Sequence, residues 1–182
     1  MKRLFFLILV SVLLVPVGQA QFSKASLQAT GLTCALCSNA INKAVLKLPF
    51  VASVRADIKN SSFSIVFKEG ADLDIDAIKA AVEDAGFSVG GLSLTGHFND
   101  TRLVKDQAVT IGNEKFHFLN GDGKTLNGEQ VIMVVDKNFV SEKQFKKISK
   151  ESQLPCVQTG KATGACSREG MAAGNRIYHV MI

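Results

Sequence analysis

Between residues 25 and 94 the spacing of apolar side chains switches between the two-residue period of a strand and the 3.6-residue period of a helix. Few folds accept the resulting order. Ala25, Leu27 and Ala29 share one face and Ser26 and Gln28 the other, a strand. After Thr30-Gly31, residues Ile41, Ala44, Val45 and Leu48 follow the i, i+3, i+4, i+7 helical pattern until Pro49 stops it. Val54, Ala56 and Ile58 alternate with Arg55 and Asp57, a second strand. Asn60-Ser61-Ser62 is turn material, and Phe63, Ile65 and Phe67 make a third strand. Asp72, Asp74 and Asp76 crowd the start of the next helix, where carboxylates suit the helix dipole. Ile75, Ile78 and Val82 form its apolar stripe, Gly86 ends it, and Phe87 to Leu94 supplies a last strand.

That order, βαββαβ, is the ferredoxin-like split βαβ arrangement: a four-stranded antiparallel sheet with two helices on one face. The predicted class is α+β, with residues 21–96 as the first domain. From residue 97 the texture changes. Gly112-Asn113 separates "QAVTI" from "EKFHFL", and Asn127-Gly128 precedes "EQVIMVVD", both hairpin signals. One helix follows, opened by a capping box of Ser141 and Gln144, with Val140 and Phe145 as its hydrophobic staple. The chain ends in "NRIYHVMI", where Ile177, His179 and Met181 alternate with Tyr178, Val180 and Ile182. Residues 97–182 therefore read as a small, mostly β domain with one helix, a curled sheet or a barrel of the OB type.

Residues 1–20 read as a signal peptide. Lys2 and Arg3 precede an apolar run from Leu4 to Val15 broken only by Ser11, and Gly18-Gln19-Ala20 offers small residues to a signal peptidase. The run is shorter than the about 20 residues of a membrane-spanning helix, and no cysteine follows to carry a lipid. The expectation is an exported chain, periplasmic or secreted, starting near Gln21, with no stable membrane insertion after cleavage. Residues 21–96 carry seven basic and seven acidic residues, and 97–182 carry twelve and nine. With the basic residues dispersed, nucleic acid is not an expected partner.

The chemistry of the chain lies in its four cysteines. Cys34 and Cys37 sit in "GLTCALCSNAINKAV", at the junction of the first strand and the first helix. Unsatisfied N–H groups and the positive end of a helix dipole lie there, and both favour thiolate. Thiolate selects soft ions such as Cu(I), Hg(II) or Zn(II) over hard cations. Two thiolates without a third ligand suit Cu(I) or Hg(II), because structural zinc wants four ligands and the next histidine is His97. A disulfide between the two cysteines and a thioredoxin-like redox couple are the competing readings. The second would want a framing Trp or Pro, and the intervening residues are Ala35 and Leu36.

Those residues resemble the metal loop of the heavy-metal-associated domain family, whose pattern is Gly-Met-Thr/His-Cys-x-x-Cys at the head of the first helix. "DAGF" at Asp84 to Phe87 is similar to the Ala-Gly-Tyr/Phe that closes the family's second helix. The resemblance covers residues 23–95. It implies metal ligation by Cys34 and Cys37, with Gly31, Leu32, Thr33 and Phe87 supporting the loop. Leu32 departs from the family's methionine, which packs inward and is not a ligand. Phe87 stands at the aromatic or lysine position that approaches the metal, where it can shield but not charge the site. The family includes copper chaperones, modules of copper-exporting ATPases and the periplasmic mercury-binding protein. Cu(I) is the expected ion, with Hg(II) and Zn(II) as alternatives, and a metal donor or acceptor protein of the same compartment is the expected partner.

"CVQTGKATGAC" reads as a short disulfide loop between Cys156 and Cys166, with a metal site of Cys156, Cys166 and a histidine such as His179 as its competitor. His97, His117 and His179 look isolated, and the alternation of His117 with Phe116 and Phe118 predicts a solvent-facing position. No catalytic constellation stands out, and a non-enzymatic chain is expected. The function expected is soft-metal binding and transfer by ligand exchange. Its rivals are a thiol–disulfide oxidoreductase and an interaction module with a vestigial metal loop.

Overall fold

A computed structural model describes residues 21–32, 35–104, 107–152, 154–163, 166 and 173–182, with the side chains of Gln21 and Ala35 also set aside. The expected leader, residues 1–20, lies outside the described residues, as do Thr33 and Cys34.

The elements run β1 (Gln21–Thr30), α1 (Ala35–Leu46), β2 (Val51–Asp57), β3 (Ser62–Phe67), α2 (Ile75–Asp84), β4 (Ser88–Arg102), β5 (Ala108–Ile111), β6 (Glu114–Phe118), β7 (Thr125–Val134), α3 (Glu142–Ser152), α4 (Pro155–Thr159) and β8 (Tyr178–Met181). The strands form one sheet in the order β2-β3-β1-β4-β7-β8-β6-β5. The first four adopt the order the βαββαβ pattern predicts, all antiparallel. Leu27, Ile65 and Leu94 are fully buried under Ile41 and Val45 of α1 and Ile78 and Val82 of α2. Ser26, Gln28 and Ser64 lie on the opposite, exposed face, as strand alternation requires.

Local chemistry sets the boundaries of α2. The Asp74 carboxylate accepts from the Ala77 N–H at 2.9 Å, an N-cap. At the other end Gly86 takes φ 87°. The Phe87 N–H then reaches Val82 O at 3.1 Å and the Gly86 N–H reaches Glu83 O at 2.9 Å. That pair is a Schellman motif, which a residue with a Cβ would strain.

Residues 97–182 do not close a barrel of their own among the described residues. β4 runs unbroken through the expected boundary at 96/97, and β7 pairs with it from Leu92↔Val134 to Arg102↔Thr125. A 15-residue strand gives both halves one backbone ladder, so the C-terminal strands extend the first sheet. The buried core follows suit: Phe98, Phe116, Ile132, Val134, Tyr178 and Val180 belong to the same apolar cluster as Leu27 and Ile41. Phe22 bridges the halves, its ring 5.3 Å from that of Phe116.

Three local expectations for this half are corrected. Asn127-Gly128 is not a turn before a strand; it lies inside β7, opposite a register shift between Phe98 and Thr101 where Asp100 takes φ 45°. Asn127 Nδ2 donates to Asp100 Oδ1 there at 2.8 Å, so the turn signal serves a bulge. A second helix, the five-residue α4, follows α3; it is too short for periodicity to register. β8 sits inside the sheet, antiparallel to β7 and parallel to β6, so Ile177, Tyr178, His179 and Val180 are all buried. The capping box is formed: Gln144 N–H donates to Ser141 Oγ at 3.4 Å and Ser141 N–H to Gln144 Oε1 at 3.3 Å. Val140 and Phe145 are buried in one cluster beside it.

Candidate metal centre

β1 delivers the chain to the loop, and Gly31, at φ 85°, makes the turn that β-branched or bulky residues cannot make cheaply. Leu32 is half-buried and packs on the main core, so the side chain after the turn anchors the loop from below. The first helical turn follows directly. Ile41 and Val45 are fully buried and fix α1 to the sheet. Cys37, half-buried, lies in that first turn, beside buried Ser38 and with exposed Leu36 before it. Cys37 therefore belongs to the helix end where backbone N–H groups lack intrahelical acceptors and the dipole is positive, an end that favours an anionic soft donor.

Phe87 comes to the same place from the opposite direction. The Schellman turn at the end of α2 projects it so that its Cδ1 would lie 3.9 Å from a Cβ built on Gly31. The ring thus sets apolar surface against the Gly31 turn, whose positive φ is what disfavours a larger residue at position 31. The structure brings Gly31 and Phe87 together, packs Leu32 and Phe87 on the main core and places Cys37 in the first turn of α1; Thr33 and Cys34 lie outside the described residues.

Residues 26–88 match the description "Heavy-metal-associated domain". They form a heavy-metal-associated domain. That domain is 34% identical over 65 residues to the probable copper-transporting ATPase HMA5 of Arabidopsis thaliana, covering 36% of this chain and 6% of that one. It is 35% identical over 66 residues to copper-transporting ATPase 1 of Rhizobium meliloti, covering 36% and 8%. The chain thus spans a small fraction of these relatives' length. Among solved structures, a CopZ metallochaperone is 25% identical, covering 37% of this chain and 98% of that one, with a TM-score of 0.34. A copper binding domain from HMA7, a P-type ATPase, is 32% identical, covering 36% and 86%, with a TM-score of 0.33. Oxidized MerP from Ralstonia metallidurans CH34 is 26% identical, covering 38% and 96%, with a TM-score of 0.34.

The other two cysteines lie in the C-terminal half, outside the strands. Cys156, in α4, and Cys166 are joined in a disulfide with Cα atoms 6.4 Å apart, both sulfurs buried. The expectation of isolated histidines is corrected for two of the three. His117 is 3% exposed, because β6 is flanked by β5 and β8 and covered on both faces. It opposes His179 in register. His97, in β4, is exposed.

Sequence reading missed the charges around this pair. Arg176 donates to Asp76 through Nε at 2.8 Å and Nη2 at 3.2 Å, and through Nη1 to Asp136 at 2.9 Å and to the carbonyls of Gly160 and Ile177. Its guanidinium carbon lies 3.9 Å over the Tyr178 ring. Burial disfavours its charge, but hydrogen bonding to Asp76 and the two carboxylates raise its pKa above the ordinary arginine value. Asp76 belongs to the first turn of α2, so this residue ties the metal domain to the C-terminal half. One arginine in a loop of mixed composition carries no periodic signal that could have marked it.

Proposed function

We propose that the chain is an exported Cu(I)-binding protein that accepts and passes its ion by ligand exchange through Cys34 and Cys37. The observation that carries this reading is Cys37 in the first turn of α1, after a Gly31 turn that Phe87 approaches, inside a heavy-metal-associated domain. The copper-transporting relatives support Cu(I) over Hg(II) and Zn(II) as the cargo. Two thiolates at an open loop give a low-coordinate ion that a third thiolate or thioether can attack, so the incoming donor binds before the first leaves. No covalent substrate chemistry is needed, and a donor or acceptor protein of the same compartment is the partner.

The leader-like residues 1–20 support export, to the periplasm or outside the cell. Among the described residues no helix is long and apolar enough to cross a membrane. The C-terminal half holds the metal domain through β4, β7 and Arg176, and so sets how the loop is presented to a partner.

Anaerobic titration of the reduced protein with Cu(I) against a chromophoric chelator tests this reading. One equivalent retained, and lost in the Cys34→Ser/Cys37→Ser variant, supports it. Retention no better than the variant's, together with turnover of a disulfide substrate, would instead establish a thiol–disulfide oxidoreductase.

A further inference from the structure

Two histidines on neighbouring strands meet the Cys156–Cys166 bridge in the interior. His117 and His179 are register partners on β6 and β8, both buried, with ring centroids 5.5 Å apart. A ring nitrogen of His117 and the two sulfurs all lie within 4.8 Å of one another. His179 Nε2 lies 3.2 Å from Cys156 Sγ, and its Nδ1 lies 2.6 Å from Asp136 Oδ1. The other Asp136 oxygen accepts from Arg176 at 2.9 Å. A carboxylate held by Arg176 accepts, so Nδ1 donates to Asp136 and Nε2 is the ring nitrogen that faces the sulfur. A carboxylate that holds one imidazole nitrogen while the other faces a donor cluster is the support metal-ligating histidines have. A covalent staple alone calls for none of this. An apolar pocket would serve it, and burying two imidazoles beside it costs free energy.

We propose that Cys156, Cys166, His117 and His179 form a second metal site, opened when a dithiol reductant cleaves the disulfide, that holds one four-coordinate d10 ion, Zn(II) or Cu(I). The reductant supplies two electrons and two protons; the S–S bond breaks, two thiols form, and the reductant leaves as its own disulfide. The ion then displaces both thiol protons and is held by two thiolates and two neutral imidazole nitrogens. With metal–nitrogen and metal–sulfur bonds of about 2.0 and 2.3 Å, donors around a tetrahedral ion sit about 3.3–3.8 Å apart. His117 and the two sulfurs already lie within 4.8 Å of one another, and His179 Nε2, 3.2 Å from Cys156 Sγ, is the fourth donor to be drawn in. A pocket of about 430 Å³, lined by Leu103, Asn120 and Leu154 among others, reaches one member of the cluster, His117. Reduction thus replaces the cross-link between α4 and Cys166 with one that also engages His117 of β6 and His179 of β8, rather than leaving the loop untied.

The test uses the full chain carrying Cys34→Ser and Cys37→Ser, so that the first loop is silent, in oxidised and dithiol-reduced forms with the reductant removed. Zn(II) and Cu(I) are titrated separately against chelators, Co(II) serves as a spectroscopic probe, and circular dichroism follows the fold. The proposal expects the reduced chain to hold one ion at least 100-fold more tightly than the oxidised chain. It expects Co(II) to show thiolate charge transfer with tetrahedral d–d bands. His117→Ala and His179→Ala should each weaken retention at least tenfold with the fold intact, and direct competition between Zn(II) and Cu(I) assigns the ion. Equal retention by the two redox forms overturns it. So does a reduced chain that loses its fold, or an ion whose affinity ignores both histidines, as a simple two-thiolate Cu(I) clasp would.

Discussion

The chain uses cysteine pairs in two opposite ways. Cys34 and Cys37 are three positions apart in the sequence, and Cys37 stands partly exposed in the first turn of a helix, after a Gly31 turn that Phe87 approaches. Cys156 and Cys166 stand ten positions apart, fully enclosed, backed by His117, His179, Asp136 and Arg176. The difference teaches what surroundings do to one functional group. On the reading proposed above, an exposed helix end suits a thiolate to exchanging a soft ion, whereas burial and a hydrogen-bonded shell suit a pair to holding on.

Replacing cysteines one pair at a time separates the two roles most sharply. Cys37→Ser should abolish Cu(I) retention at the loop and change thermal stability little. Cys156→Ala with Cys166→Ala should lower stability by about 3 kcal/mol in the loop-entropy account of a disulfide of this span, with the loop's Cu(I) equivalent intact; chemical denaturation and chelator competition read both. If Cu(I) binding at the loop fell with the second pair, the separation would be broken.

Arg176→Met asks how far the halves depend on one another. It leaves buried Asp136 without its cation, a change worth about 3 kcal/mol or more. A single cooperative unfolding transition shifted downward is the expected result in urea. Two separated transitions would mean that the shared sheet does not couple the halves.

A smaller effect concerns Glu114. Burial, then the carboxylates of Asp74 and Asp76, push its pKa up to about 7 against the pull of Arg176. Between its ordinary value of 4.5 and about 7 the folded chain binds more protons than the unfolded one, so stability is fullest below that window and falls as pH rises through it. Because the carboxyl is half-exposed, solvent screening leaves about 1 kcal/mol of this dependence. Glu114→Gln should flatten it, as seen by urea midpoints at pH 5 and pH 8. Smallest of all, Ser141→Ala removes one side of the capping box of α3 and should cost about 1 kcal/mol or less, without touching either cysteine pair.

How much of this was legible in the sequence follows from the range of each interaction. The first four strands and two helices were readable because each buries one face, and a buried face writes its period into the chain. Asp74 and Gly86 marked the ends of α2 because caps are made within a few residues. β8 was unreadable as an interior strand, since burial on both faces erases alternation, and its parallel partner β6 lies about sixty positions away. His117 was misplaced for the same reason: alternation with Phe116 and Phe118 implies an exposed face only when one face is exposed. The continuity of β4 across residue 96 was hidden because a change of composition marks a change of texture, not a break in the ladder. Cys37 could be placed by its spacing and by the turn before it. The Asp136–His179–Cys156 contact and the Asp76–Arg176 pair join residues 23 to 100 positions apart, and no local pattern records them.

X-ray absorption at the copper edge, on protein oxidised at Cys156–Cys166 and loaded anaerobically with one equivalent of Cu(I), tests the central claim most directly. The account expects two sulfur donors, no nitrogen, and loss of the signal in the Cys37→Ser variant. A copper ion ligated by nitrogen, or one that persists unchanged in that variant, would contradict it.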